Sequence, residues 1–275
     1  MSRFRASAPL TESWKHFGFA IDAGVATLTF SRPEKLNALT FEVYADLHDL
    51  LSELPQYQDV RVLVITGTGR GFCSGGDVNA IIGELLQMEA GQRLEFTRMT
   101  GTVTQQMRES PVPIIAAVNG VAAGAGAVIA LAADFRVLAR SATFAFLFTR
   151  VGLSGADMGS AYLLPRLIGL GRATELLMLG DTVTADQALA IGLATRVVDD
   201  RELATASTEL ARRLADGPRQ AYASTKTLVS RELDMGLTAS LELDAVTQAL
   251  LMATVDHAEF YAAFRDGRQP KWSGR

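Results

Sequence analysis

Short apolar runs of strand type alternate with helix-spaced apolar stripes along much of the chain. Residues 17–21 and 25–30 are strand-like runs separated by Asp22-Ala23-Gly24, and they predict two strands joined as a hairpin. Thr40 then stands where a helix cap is wanted. Val43, Leu47, Leu50, Leu51 and Leu54 follow it at helical spacing, which predicts a helix to residue 54 whose apolar stripe belongs to the core. Residues 60–66, VRVLVIT, form a continuous β-branched run of the kind buried on both faces of a sheet. That run leads into Gly67-Thr68-Gly69-Arg70-Gly71 and then Phe72-Cys73-Ser74-Gly75-Gly76-Asp77. The arrangement recurs further on: an apolar strand at 114–118, a turn on Asn119 and Gly120, the stretch Gly124-Ala125-Gly126, and an apolar helix ending near Asp134. Strands alternating with helices predict an α/β fold.

From Arg172 onward the pattern is helical and rich in alanine. Thr184 can cap a helix to residue 191, which Gly192 stops before a strand at 195–198. Helices are predicted at 200–215, 218–233, 238–253 and 256–266, with Pro218 in the first turn of the second and Gly236 separating it from the third.

The two glycine loops carry the candidate chemistry. Residues without bulky side chains let a substrate approach the backbone closely. The amides that open the helix after Gly124 have no acceptor within that helix, and its dipole adds positive potential there. Two such loops on one scaffold could converge on a single developing oxyanion. Neither loop has the GxGxxG spacing of a dinucleotide site, and no GxxxxGK[ST] occurs in the chain.

Composition narrows the class. Hydrophobic residues make up 48% of 275, enough for a sizeable core, and the length fits one main domain with an appendage. A net charge of -4 without a basic patch argues against nucleic acid. Cys73 stands alone, and His16, His48 and His257 are scattered, so neither a disulfide framework nor a metal site is expected. No apolar run is long enough to span a bilayer, and residues 1–16 lack the continuous apolar segment of a signal peptide, so a soluble, cytoplasmic protein without membrane contact is expected.

Four ordered stretches, SRPEKLNAL at 31–39, ITGTGRGFCSGGD at 65–77, PVPIIAAVNGVAAGAG at 111–126 and PRLIGLGRATELLMLGDTVTADQALAIGLATRVV at 165–198, resemble the crotonase (enoyl-CoA hydratase/isomerase) superfamily. The resemblance covers nearly the whole chain. It implies a crotonase-like spiral of repeated ββα units with a C-terminal helical trimerisation region: a core at 1–200 that binds acyl-CoA, and an oligomerisation region at 201–275 that supports homotrimers, often paired into hexamers. It implies no permanently bound cofactor, coenzyme A being part of the substrate. In that family the thioester carbonyl oxygen accepts from two backbone amides, which match Gly76 and Ala125. Arg32 and Lys35 match positions that contact the coenzyme A phosphates and pantetheine. Ser74 and Asp77 flank the Gly76 amide and are candidates for contact with the same group, although Asp77 also suits a cap for the helix opening at Val78. The segment 263–272 resembles the family's terminal AFxxxRxPxF, which places Lys271 near the adenine end; a solvated basic tail is the alternative.

The departures matter as much. Hydratases of this family use two glutamates, and the matching positions here are Val128 and Phe148, neither of which can carry a proton. They would make the substrate pocket more apolar, and two-glutamate water addition is unavailable. Asp157 stands where the dienoyl-CoA isomerase branch carries an active-site aspartate, if one extra residue is allowed between Leu153 and Ala156. It could instead cap a helix to residue 167. Tyr162 could donate to or orient the substrate, or pack in the core. Thr149 and Arg150 could line the pocket, while Cys73 lacks an adjacent base. Three readings follow: an acyl-CoA hydratase-like lyase or double-bond isomerase with Asp157 as its single acid, a thioester or carbon–carbon hydrolase or decarboxylase on the same oxyanion site, and a catalytically inactive CoA-binding oligomer.

Overall fold

The computed structural model describes residues 10–275, so the first nine residues of the leaderless start expected above lie outside it. Two sheets share the strands. The larger holds β1 (Gly18–Asp22), β2 (Val25–Phe30), β3 (Val62–Gly67), β5 (Ile114–Val118), β7 (Phe135–Ala139) and β10 (Arg196–Val198), side by side in that order. The smaller holds β4 (Gly71–Cys73), β6 (Val121–Ala123), β8 (Thr143–Ala145) and β9 (Val183–Thr184). Only the pairs β1–β2 and β8–β9 are antiparallel; all other pairs are parallel. From β3 to β8 the chain visits the two sheets alternately, and this alternation winds it into the expected spiral. The central strands β3 and β5 are buried along almost their whole length, as parallel strands covered on both faces must be.

Local sequence accounts for many of the boundaries. Ala23 and Gly24 both have positive φ, 45° and 83°, the twist that a two-residue hairpin turn demands. Thr40 caps α1 (Phe41–Glu53) by accepting from the Val43 amide, and Val43, Leu47, Leu50 and Leu51 are buried as the stripe predicted. The remaining helices are α2 (Gly83–Leu85), α3 (Ala90–Glu109), α4 (Ala125–Ala132), α5 (Ser160–Ile168), α6 (Leu170–Leu179), α7 (Ala185–Ala190), α8 (Leu203–Ala215), α9 (Arg219–Glu232), α10 (Leu237–Met252) and α11 (Val255–Asp266). Thr184 caps α7 in a reciprocal box with Gln187. Pro218 and Gly236 occupy the N-cap positions of α9 and α10.

The twenty-residue α3 has no counterpart in the sequence reading. Gly91, Gly101 and four threonines lower its intrinsic helicity, and packing against α1 supplies what propensity does not. β6 and β8, three residues each, are too short for any period to show. α8 lies across β3, β5 and β7 and so closes one face of the large sheet. A buried ion cluster fastens α3 and α9 to the end of α4: the Asp134 carboxylate accepts from Lys226 Nζ at 2.8 Å, Arg108 Nη1 at 3.2 Å and the Ile114 amide at 2.8 Å. None of the helices among the described residues is long and apolar enough to cross a membrane.

Candidate active site

The two glycine loops lie against one another, backbone on backbone. A Cβ built on Gly126 would stand 2.0 Å from the Cys73 carbonyl oxygen, and one on Gly120 would stand 2.1 Å from that of Arg70. Glycine at 126 is therefore a condition for the first turn of α4 to seat on β4, and glycine at 120 for the Asn119 turn to lie against the start of β4. Two asparagines stitch the assembly. Asn119 Nδ2 donates to Gly69 O and Gly71 O, both at 3.0 Å, and its Oδ1 accepts from the Gly67 amide. Buried Asn37 donates to Thr68 O and Gly71 O at 2.9 and 2.7 Å. Asn37 went unremarked in the sequence; its position one residue after Leu36, both with positive φ, is a signal visible only once the turn is built.

Between these stitches the amides separate into used and unused. Leu39 donates to Gly75 O and accepts from the Asp77 amide, each at 2.8 Å, which uses the groups on either side of Gly76. The Gly75 amide, at φ 95°, turns to the Cys73 sulfur. Gly124 donates to Ala145 O at 2.9 Å. The amides of Gly76 and Ala125 donate to no acceptor among the described residues. At the far end of α4, the buried guanidinium of Arg136 donates to Leu131 O and Ala133 O at 3.2 and 2.5 Å, satisfying the last carbonyls and fixing the helix in place.

The side chains around the loops divide by what they already hold. Asp77 accepts from the Asn79 and Ala80 amides at 3.1 Å and from Arg32 at 3.0 Å, and the Ala80 amide above all holds its carboxyl below the usual range. It is the helix cap of the sequence reading. Arg32, expected at the phosphates, instead spends its guanidinium on Asp77 and on Ala38 O. The Ser74 hydroxyl likewise donates to Lys35 O, while the exposed Lys35 ammonium has no ion-pair partner among the described residues. Lys271 is exposed on the C-terminal tail, where its amide donates to Glu259 beside α11. The Cys73 thiol is pushed up to about 12 by burial, which removes it as a nucleophile.

Val128 and Phe148, expected in the substrate pocket, are 0% and 8% exposed and packed into the core. Asp157 does not cap α5, a correction to one alternative above. Gly159 occupies that N-cap without any side-chain bond, and Ser160 Oγ turns back to Gly155 O at 2.6 Å. The half-buried Asp157 carboxylate accepts one hydrogen bond, from the Met158 amide at 2.9 Å, and burial raises its proton affinity against that bond. Its turn is held by buried Met158 at φ 49° and by Gly155, where a Cβ would meet Leu177 O at 2.3 Å. Tyr162 is corrected outright: it is 40% exposed, its hydroxyl donates to Asp234, and Arg166 stacks 3.6 Å above its ring. Surface chemistry between α5 and the end of α9 claims the donor that the substrate was expected to use.

Comparison with known proteins follows this geometry. The enoyl-CoA hydratase/isomerase family model matches residues 20–275. The chain is 36% identical over 255 residues to the 1,2-epoxyphenylacetyl-CoA isomerase of Escherichia coli (strain K12), covering 93% of this chain and 97% of that one. A probable enoyl-CoA hydratase of Rhodobacter capsulatus is 37% identical over 264 residues, 96% of this chain and 100% of the other. Among solved structures, a Streptomyces coelicolor A3(2) protein provisionally described as an enoyl-CoA hydratase superposes with a TM-score of 0.98 at 61% identity over 100% of both chains. The enoyl-CoA hydratase of Bacillus anthracis gives 0.89 at 28%, covering 95% of this chain and 100% of that one. With the spiral fold, both glycine loops and this agreement along its length, the chain belongs to the enoyl-CoA hydratase/isomerase family.

Proposed function

We propose that this enzyme binds an acyl-CoA thioester across the two glycine loops, its carbonyl oxygen accepting from the Gly76 and Ala125 amides, and isomerises a double bond in the acyl group with Asp157 as the single proton-transferring acid. One observation carries the reading: Asp157 is a half-buried carboxyl with a raised proton affinity and one local hydrogen bond, while Val128 and Phe148, which the resemblance matches to the hydratase glutamates, are buried and apolar. Among the described residues the other carboxyl raised in this way is Glu232 on α9, through burial and neighbouring Asp244.

Isomerisation suits a lone acid. The carboxylate takes a proton from the carbon beside the double bond, the electron pair of that C–H bond delocalises onto the thioester oxygen, and the two amides stabilise the charge. The same carboxyl then returns the proton at the other end of the allylic system, so nothing is oxidised and no cofactor is consumed. Each amide is worth roughly 3 kcal/mol of transition-state stabilisation. Hydration would need a second group to activate water while the first protonates carbon. The Escherichia coli relative is itself named for an isomerisation. Lys35, exposed and without an ion-pair partner among the described residues, serves the coenzyme A phosphates in this reading, and Lys271 serves the adenine end.

We also infer a homotrimer or hexamer working in the cytoplasm. Support comes from the exposed apolar side chains Leu170, Met178, Leu237, Leu250 and Phe264 on α6, α10 and α11.

The test is turnover of a panel of β,γ-enoyl- and dienoyl-CoA esters by wild type and Asp157→Asn. A loss on the order of 10²–10⁴ is expected for the variant. Undiminished isomerisation would remove Asp157 from the mechanism, and release of free thiol from the esters would favour hydrolysis instead.

A further inference from the structure

Tyr162, Arg166 and Asp234 form a polar cluster that the mechanism above leaves unused. Asp234 stands in the turn after α9, its amide bonded back to Arg231 O at 3.2 Å. One oxygen of its carboxylate accepts from Arg166 Nη2 at 3.0 Å and the other from the Tyr162 hydroxyl, so it grips two residues of α5 one turn apart. Arg166 closes the cluster: Nη1 donates to Tyr162 O at 3.0 Å, and the guanidinium lies 3.6 Å over the Tyr162 ring. A single exposed ion pair holds little, but this one is locked into a network of hydrogen bonds and a stacked ring. α5 has few other anchors. Of its nine residues only Ser160 and Leu164 are buried, and its N-cap, Gly159, makes no side-chain bond. The Asp157 turn runs straight into it, for the Ser160 amide donates to Asp157 O at 2.9 Å and the Ser160 hydroxyl to Gly155 O. The other end of α9 is fixed on α4. Lys226 bonds Asp134 at 2.8 Å and Val112 O at 2.9 Å, and Ser230 Oγ accepts at 2.8 Å from Arg108, whose other nitrogen reaches Asp134.

We propose that α9 is the strut that sets the Asp157 carboxylate relative to the Ala125 amide, and that Asp234 is its positioning residue, holding α5 through Tyr162 and Arg166. The polar path is continuous. It runs from Asp134 at the foot of α4 to Lys226 and Ser230, along α9 to Asp234, across to Tyr162 and Arg166, and down α5 to the Ser160 amide and Asp157. α4 carries the Ala125 amide at its first residue, so the acid and the oxyanion donor are both referenced to one helix. Proton transfer needs the carboxyl within hydrogen-bond reach of the reacting carbon while the thioester oxygen rests on the amides. Freed from Asp234, α5 keeps only its narrow buried face, and the turn that it carries shifts with it. Lys35, Lys271 and the glycine loops make none of these contacts, so binding is untouched and the loss falls on the chemical step.

This inference rests on Asp157 as the acid, and the experiment separates the two claims. kcat and KM for isomerisation of a β,γ-enoyl-CoA ester, together with Tm, are measured on the full chain for wild type and each variant. Asp234→Ala is expected to lower kcat about tenfold, short of the ~10² that a full ångström of misplacement costs, with KM held within about twofold. Its Tm should barely move, because the cluster is exposed. Asp234→Asn keeps an acceptor for the phenol and should recover part of the loss. Tyr162→Phe should lower kcat by less, and adding it to Asp234→Ala should cost nothing more, since both cut the same connection. Asp199→Ala is the control: it frees Arg140 from a comparably exposed bond of 3.0 Å and should leave kcat unchanged. Wild-type kcat in Asp234→Ala beside an inactive Asp157→Asn would overturn the strut and leave the acid standing, as would a loss confined to KM. Full activity in Asp157→Asn would bring down the reading of the acid, and the strut with it.

Discussion

Gly126→Ala is the sharpest perturbation of the oxyanion geometry, because it adds one carbon at the contact between α4 and β4. That Cβ would stand 2.0 Å from Cys73 O, 2.7 Å from Cys73 C and 2.7 Å from Cys73 Cβ. Backbone cannot rotate away as a side-chain tip can, so relief requires the first turn of α4 to withdraw by about an ångström. The Ala125 amide moves with that turn, while Gly76 stays held by the bonds of its neighbours Gly75 and Asp77 to Leu39. Overpacking of this kind costs about 1–3 kcal/mol of stability, and an ångström of misplacement in a catalytic constellation costs about 10² in rate. The expected result is a modest fall in Tm together with a fall of about 10² in kcat/KM that appears mainly in kcat. Gly101→Ala in α3, where an added Cβ meets nothing within 4 Å, is the control and should raise stability by about 1 kcal/mol. Wild-type kcat/KM in a folded Gly126→Ala protein would refute the claim that this contact sets the amide geometry.

Two further outcomes follow from the buried charges. Asp157 binds its proton more tightly in the folded protein than in the unfolded chain, so its ionisation costs the folded state as pH rises from the ordinary carboxylate range through its own higher value. Asp157→Asn should therefore raise Tm near neutral pH and leave it unchanged in acid below that range; melting curves at several pH values check the sign. Lys226→Met removes an ammonium that is 6% exposed and bonded to Asp134 and Val112 O, and should cost about 3 kcal/mol in denaturant unfolding, because Asp134 stays buried with less compensation.

Sequence alone determined what is local or covalently close. The Asp22-Ala23-Gly24 turn, the Thr40 and Thr184 caps, the buried runs that became β3 and β5, and the glycines that seat α4 on β4 were all legible. Each depends on a few neighbouring residues and on the narrow set of conformations those residues allow. What folding decided was which polar groups meet. Arg32 is 45 positions from Asp77 and Tyr162 is 72 from Asp234, and nothing local marks either pair. Ion pairs and hydrogen bonds of that span depend on how whole elements pack, so a free cation and a free hydroxyl in the sequence became occupied ones in the fold. The same holds for α3, which forms against its own propensity because α1 covers it.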